Sequence, residues 1–314
     1  MSIELVKEKY AGPVNTLEIG KPGLKSGPIV IGGETGLPFM FREGEMPNRP
    51  IVALEILDME PTDWPPALMG AFGNAIKDPV DWAVECVSRH NAKALCVRLQ
   101  SIHPDFGNRS PDKAVSVLKN IIERAGVPLI VVGCGDDERD NDVLPKASQA
   151  LKGENCLFGI ATQSNYKTLT ATCLADGHSI IAESPIDCNI AKQLNILITD
   201  MGFDPSRIVM HPTTTALGYG MEYVYSIMER SRLAAFIGDK SLAMPFLLFV
   251  GAETWKVKEA KDFGEAQGVN WEVATSAAMV QAGADMIVVR HPGSAKTITA
   301  YIDKLIPRSS GRDK

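Results

Sequence analysis

Residues 93–134 read KALCVRLQSIHPDFGNRSPDKAVSVLKNIIERAGVPLIVVGC, two apolar runs on either side of a polar, helix-like segment. KALCVRL (93–99) and PLIVVGC (128–134) are short apolar runs rich in β-branched residues. They are nearly continuous rather than alternating, the pattern of parallel strands buried on both faces. Between them, SPDKAVSVLKNIIERAG (110–126) opens on Ser and Pro, carries apolar residues at helical spacing, and stops at Gly. That punctuation marks a helix start and end. The segment is a strand, helix, strand unit.

The same rhythm extends in both directions. Further strand-like runs are IVALEIL (51–57), CLFGIAT (156–162), HSIIAES (178–184), RIVMHPT (207–213), AMPFLLFVG (243–251) and MIVVRHP (286–292), with helical segments between them. The segment after the third run, DNDVLPKASQALKG, is interrupted by Pro145. Eight such units in 314 residues predict a (β/α)8 TIM barrel over 51–314 with an N-terminal extension over 1–50. A doubly wound sheet would usually offer a glycine fingerprint after its first strand, and LDMEPTDWPP is not one. Within the extension, SGPIVIGGETGLPF predicts a hairpin plugging the barrel's bottom. The long loop from Asp58 to Lys77 predicts a lid or binding surface.

Composition excludes several classes. A net charge of −6 and a pI near 5.5 argue against nucleic acid and acidic membranes. No apolar run approaches the roughly 20 residues needed to span a bilayer, and MSIELVKEKY is too charged for a secretory leader, so a cytoplasmic protein is expected. The six cysteines lie no closer than ten residues apart, which excludes a zinc ribbon or a ferredoxin-like cluster and makes them small hydrophobes.

In this fold chemistry gathers where the strands end. The strand ends supply Asp58, Glu60, Arg98, Gln100, His103, Asp136, Asp137, Gln163, Asn165, Glu183, Asp187, His211, Thr213 to Thr215, Glu253, Arg290 and His291. His103, His211, His291 and Glu183 lack any i, i+4 pair, so a protein-ligated metal is not expected. HPGSAKT (291–297) offers either a phosphate cradle or an ordinary helix cap by Ser294. LGYG lacks the nucleotide-binding frame, no GxSxG elbow is present, and no lysine ends the sixth strand. Hydroxyls, amides and a few carboxylates remain. They suit hydrogen bonding to a large amide-fringed ligand, and no catalytic residue is assigned.

Three long stretches resemble the small (delta) subunit of the corrinoid iron–sulfur protein of the acetyl-CoA (Wood–Ljungdahl) pathway. They are MHPTTTALGYGMEYVYSIMERSRLAA, IGGETGLPFMFREGEMPNRPIVALEILD and GIATQSNYKTLTATCLADGHSIIAESPIDCNIAKQLN. The resemblance covers essentially the whole chain. It implies a barrel similar to pterin-dependent methyltransferases, paired with a large corrinoid iron–sulfur subunit that carries a [4Fe-4S] cluster and a cobalamin domain. The base-off cobalamin would lie between that domain and this barrel. It would accept a methyl group from methyltetrahydrofolate through a separate methyltransferase and deliver it to acetyl-CoA synthase; archaeal relatives use tetrahydrosarcinapterin. On that basis Thr213, Thr214, Thr215 and Gly218, with Gln163, Asn165, Asp187 and Asn189, are the candidate corrinoid-facing residues. Two alternatives stay open. One is a stand-alone pterin-dependent methyltransferase using Asp136, Asn165 or Glu183; the other is a scaffold whose partner does all the binding.

Overall fold

A computed structural model describes residues 8–38 and 43–306; parts of the extension (1–7, 39–42) and the final residues 307–314 lie outside the described set. The expected hairpin forms, but with a different partner. Strand β1 (Thr16–Ile19) pairs antiparallel with β2 (Ile29–Gly32), so TLEI rather than the GGETGLPF segment supplies its other half. Leu17, Ile19, Ile29 and Ile31 are buried in one cluster with Ala53, Ile130, Leu157 and Val209, and thereby fill the floor of the barrel. An all-polar floor would leave those apolar side chains wet, at about 1.5–3 kcal/mol each.

Eight parallel strands follow: β3 (Ile51–Leu57), β4 (Leu95–Arg98), β5 (Leu129–Val132), β6 (Leu157–Ala161), β7 (Ser179–Glu183), β8 (Ile208–His211), β9 (Leu247–Leu248) and β10 (Met286–Val289). Hydrogen-bonded neighbours run from β8 down to β3, then β10 and β9. A parallel bridge between Met210 and Phe246 brings β8 to β9 and completes the circle. Strand β9 is much shorter than the apolar run around it. Pro245 has no amide hydrogen, and the Phe246 amide donates instead to the buried carboxylate of Asp285 at 2.7 Å.

The helices are α1 (Pro66–Gly70), α2 (Pro79–Ser88), α3 (Pro111–Ala125), α4 (Asp137–Ala150), α5 (Tyr166–Asp176), α6 (Cys188–Asp200), α7 (Met221–Phe236), α8 (Val250–Thr254), α9 (Lys258–Lys261), α10 (Glu265–Gln281) and α11 (Pro292–Leu305). Helix α3 ends where the sequence punctuation says, with Gly126 left-handed at φ 68°. Helix α4 continues through Pro145. The lost amide is offset by the Asp136 cap, three acidic residues in the first turn, and burial of Val143, Leu144 and Ala147. Helix α11 differs from expectation at its start. His291 is the cap, its Nδ1 accepting from the Gly293 amide at 3.0 Å, and Ser294 lies inside the helix.

Beneath the barrel the Arg232 guanidinium joins two buried carboxylates, Glu34 of the extension and Asp285 before β10. It also donates to the carbonyls of Met244 and Gly283. Burial, together with the neighbouring Asp285 charge, pushes the Glu34 carboxyl up to about 8, against the opposing pull of Arg232. A raised acid is stabilising while it holds its proton and loses that contribution as pH rises from its ordinary 4.5 toward 8. Glu34→Gln is therefore expected to flatten the fall in melting temperature across that window. Parallel curves for the two proteins would remove Glu34 as its source.

Candidate functional site

Alternation along each strand builds the mouth of the barrel one layer above its apolar interior. Ala53 and Val288 point inward, and so, two residues on, do Glu55 and Arg290; Cys96 is followed in the same way by Arg98. Glu55 is fully buried. Its Oε1 accepts from Arg98 Nε at 2.7 Å and its Oε2 from Arg290 Nε at 2.6 Å. Burial alone would raise the Glu55 carboxyl, but Arg290 and Arg98 overcome it and hold the group down to about 2. The guanidinium of Arg98 lies over Phe249 at 5.4 Å, and that of Arg290 over Trp64 at 4.7 Å. Trp64 thus turns the long Asp58–Lys77 loop into a packed cover on this side of the mouth, itself braced edge-on by Trp82.

His211 closes the layer. Its Nδ1 lies 3.0 Å from the Leu247 carbonyl, which can only accept, so Nδ1 carries the proton and Nε2 the lone pair. Burial holds this imidazole down to about 4, against the pull of that carbonyl, and it stands edge-on to Phe249. Glu183 is pushed up by burial, the Thr213 hydroxyl opposing the shift. Among the described residues no three His, Cys, Asp or Glu side chains gather closely enough to hold a metal ion.

The eight candidate residues fall into distinct surroundings. Thr213 sits at φ 63°, a strained conformation for a β-branched residue, with its hydroxyl donating to the Ser184 carbonyl at 3.1 Å. Thr214 is buried, and its hydroxyl accepts from the Phe249 amide at 3.0 Å. Asn165 is also buried, bonded to the Thr162 amide and the Ile160 carbonyl. Asp187 caps α6 by accepting from the Asn189 and Ile190 amides. Those side chains fix loops. Thr215 differs: its hydroxyl is buried without a partner, and the residue lines a 410 Å³ pocket with Tyr219, Glu253 and Lys256. Gln163, Asn189 and Gly218 are open to solvent, and Gly218 is left-handed at φ 81°. The β8–α7 loop brings the threonines and Gly218 onto one side of the rim. Gln163 and Asn165 come from the β6–α5 loop, and Asp187 and Asn189 from the β7–α6 turn.

Several other polar residues of the strand ends are also engaged. Asp58 accepts from the Ser101 amide and hydroxyl, and Asp136 caps α4. The Gly293 amide, which a phosphate at HPGSAKT would need, is taken by His291. Glu55, Phe249, Tyr219 and Phe263 did not stand out in the sequence. The signal for Glu55 was a lone carboxylate inside the apolar run IVALEIL. Tyr219 is 51% exposed and Phe263 64%, the first tied to α9 by its hydroxyl donating to Glu259 at 2.8 Å. Away from the mouth, a groove of 710 Å³ runs along the barrel's flank between the end of α2 and α11, floored by Ile51 and Val52.

Comparison with known proteins places this geometry. Residues 17–309 match the family described as CO dehydrogenase/acetyl-CoA synthase delta subunit. A protein named acetyl-CoA decarbonylase/synthase complex subunit delta, from Methanocaldococcus jannaschii, is 31% identical over 93% of this chain and 74% of its own length. One of the same name from Methanopyrus kandleri is 32% identical over 86% of this chain and 68% of its own length. Among solved structures, a dihydropteroate synthase from Coxiella burnetii superposes with a TM-score of 0.57 over 86% of this chain and 98% of its own, at 13% identity. That last likeness concerns the barrel fold.

Proposed function

Because the chain belongs to the CO dehydrogenase/acetyl-CoA synthase delta subunit family, we propose that it is the barrel subunit of a methyl carrier, covering a base-off corrinoid held by a larger iron–sulfur subunit. The observation that carries this reading is the β8 side of the rim. There Tyr219 and Tyr223 are exposed, and Tyr219 lines one pocket with Thr215, whose hydroxyl is buried and unpartnered. Exposed aromatic faces next to an orphaned hydroxyl are the pattern of a surface that becomes covered.

The residues fit a corrinoid. Its ring is flat and apolar on both faces, and its edge bears amides that both donate and accept. Aromatic faces meet the first requirement; Thr215, Gln163 and Asn189 meet the second. When bound, the corrinoid supplies the nucleophilic metal that takes up and releases the methyl group. This chain's part is to hold the ring's edge and keep water from its face. A methyltransferase donating from methyltetrahydrofolate or its archaeal counterpart and an acetyl-CoA synthase would be its successive partners.

Coexpression with a larger corrinoid iron–sulfur subunit tests this. The expected result is a copurifying pair whose spectrum shows cobalamin and cluster bands, with neither in the chain purified alone. Thr215→Val should lower the cobalamin retained per pair without changing the pairing. Methylation of free cob(I)alamin from methyltetrahydrofolate by the isolated chain would overturn the proposal.

A further inference from the structure

The triad at the barrel mouth holds two cations for one anion. Both oxygens of Glu55 are engaged, each by a single Nε, so one positive charge is left uncompensated within the triad. Among the described residues none accepts from any of the four η-nitrogens of Arg98 and Arg290, and these side chains keep 16% and 12% of their surface open. A guanidinium has five N–H donors, and here only one on each is satisfied by protein.

The nearby carboxylates do not supply the missing partner. Asp140 directs its two oxygens to the Cys134 and Gly135 amides at 2.8 and 3.0 Å. Asp58 is bound to Ser101. Glu183 faces the Thr213 hydroxyl, and burial favours its neutral form.

The two forks are also held still. Phe249 and Trp64 lie against the guanidinium planes. Behind Arg290, the buried carboxylate of Glu272 accepts from the Arg290 amide at 2.7 Å and the His291 amide at 3.3 Å. Rigid, paired, partly desolvated donors are what planar or tetrahedral oxyanions bind best.

We propose that Arg98 and Arg290, held apart and aimed by Glu55, form an oxyanion receptor at the barrel mouth that takes a carboxylate or phosphate group. The inference does not depend on a corrinoid, because the receptor is complete within this chain.

The test titrates the full chain with sodium phosphate and, separately, sodium acetate at constant ionic strength. Tryptophan emission is read in both titrations, since Trp64, one of four tryptophans, touches the Arg290 guanidinium and Trp64→Phe isolates its share, and phosphorus NMR line width is read in the first. Saturable binding is expected. Arg290→Met should raise the dissociation constant about tenfold or more, the loss of one charge-assisted contact. Glu55→Gln should lower it, because removing the resident carboxylate leaves both cations for the ligand. Arg98→Met gives a second arm should either variant fail to fold by circular dichroism. Tighter phosphate than acetate binding identifies a phosphorylated ligand, and the reverse a carboxylate. No saturable response to either anion, or dissociation constants unmoved by both arginine substitutions, overturns the proposal.

Discussion

Arg232→Met is expected to destabilise the chain by about 3–5 kcal/mol, the cost of breaking a buried ion cluster from one side. The guanidinium is fully buried beside Glu34 and Asp285. Methionine fills much of the same volume, so the loss is electrostatic rather than a cavity. Asp285 would then lose its buried cation beside the protonated Glu34, and the Met244 and Gly283 carbonyls would lose their donor. Because Glu34 belongs to the extension and Asp285 to the barrel, the change should also loosen the hairpin floor from the strands above it. Chemical denaturation followed by circular dichroism measures the effect. Because burial and Asp285 push the Glu34 carboxyl up to about 8, adding Glu34→Gln to Arg232→Met should change little below that pH and recover part of the loss above it. A loss below about 1 kcal/mol would mean that the cluster is hydrated in the folded protein.

Gly133→Ala is the second large effect, about 2–4 kcal/mol. A Cβ at this position would lie 2.2 Å from the Asp140 carboxyl carbon and at similar distance from both its oxygens, far inside contact. The carboxylate cannot yield cheaply. It is the acceptor for the Cys134 and Gly135 amides, which shape the turn from β5 into α4 at the mouth of the barrel. Pushing it aside leaves two donors unmet and a buried carboxylate displaced from its bonds. The proper measurement is a double-mutant cycle with Asp140→Ala. Once Asp140 is truncated, the added methyl should cost little, giving strong coupling; additive energies would show that the clash lies elsewhere.

The two positions show why the chain was readable in parts. Gly133 and Cys134 end the run PLIVVGC, and the run is visible because each apolar residue reports its own burial. Nothing local shows that Asp140, seven residues later and inside α4, folds back beneath that glycine. The same distinction separates the candidate rim residues. Thr214, Asn165 and Asp187 read as free polar groups in the sequence. In the folded chain their side chains meet backbone groups that the turns leave without partners. Thr215, one position from Thr214, points into a pocket with its hydroxyl unmatched.

The number, order and direction of the β/α units are written into local sequence. Hydrophobic period, caps and glycine stops are properties of a few neighbouring residues, and eight repeats of them leave little choice but a closed parallel barrel. Long, unusual stretches also identified the family, which the match over residues 17–309 establishes. Which polar residues meet at the mouth depends on the closed barrel. Glu55 finds Arg98 across 43 residues and Arg290 across 235, pairings that no local pattern encodes. Closing the barrel brings β4, β3 and β10 side by side, and burial then forces a charge inside an apolar strand to find partners.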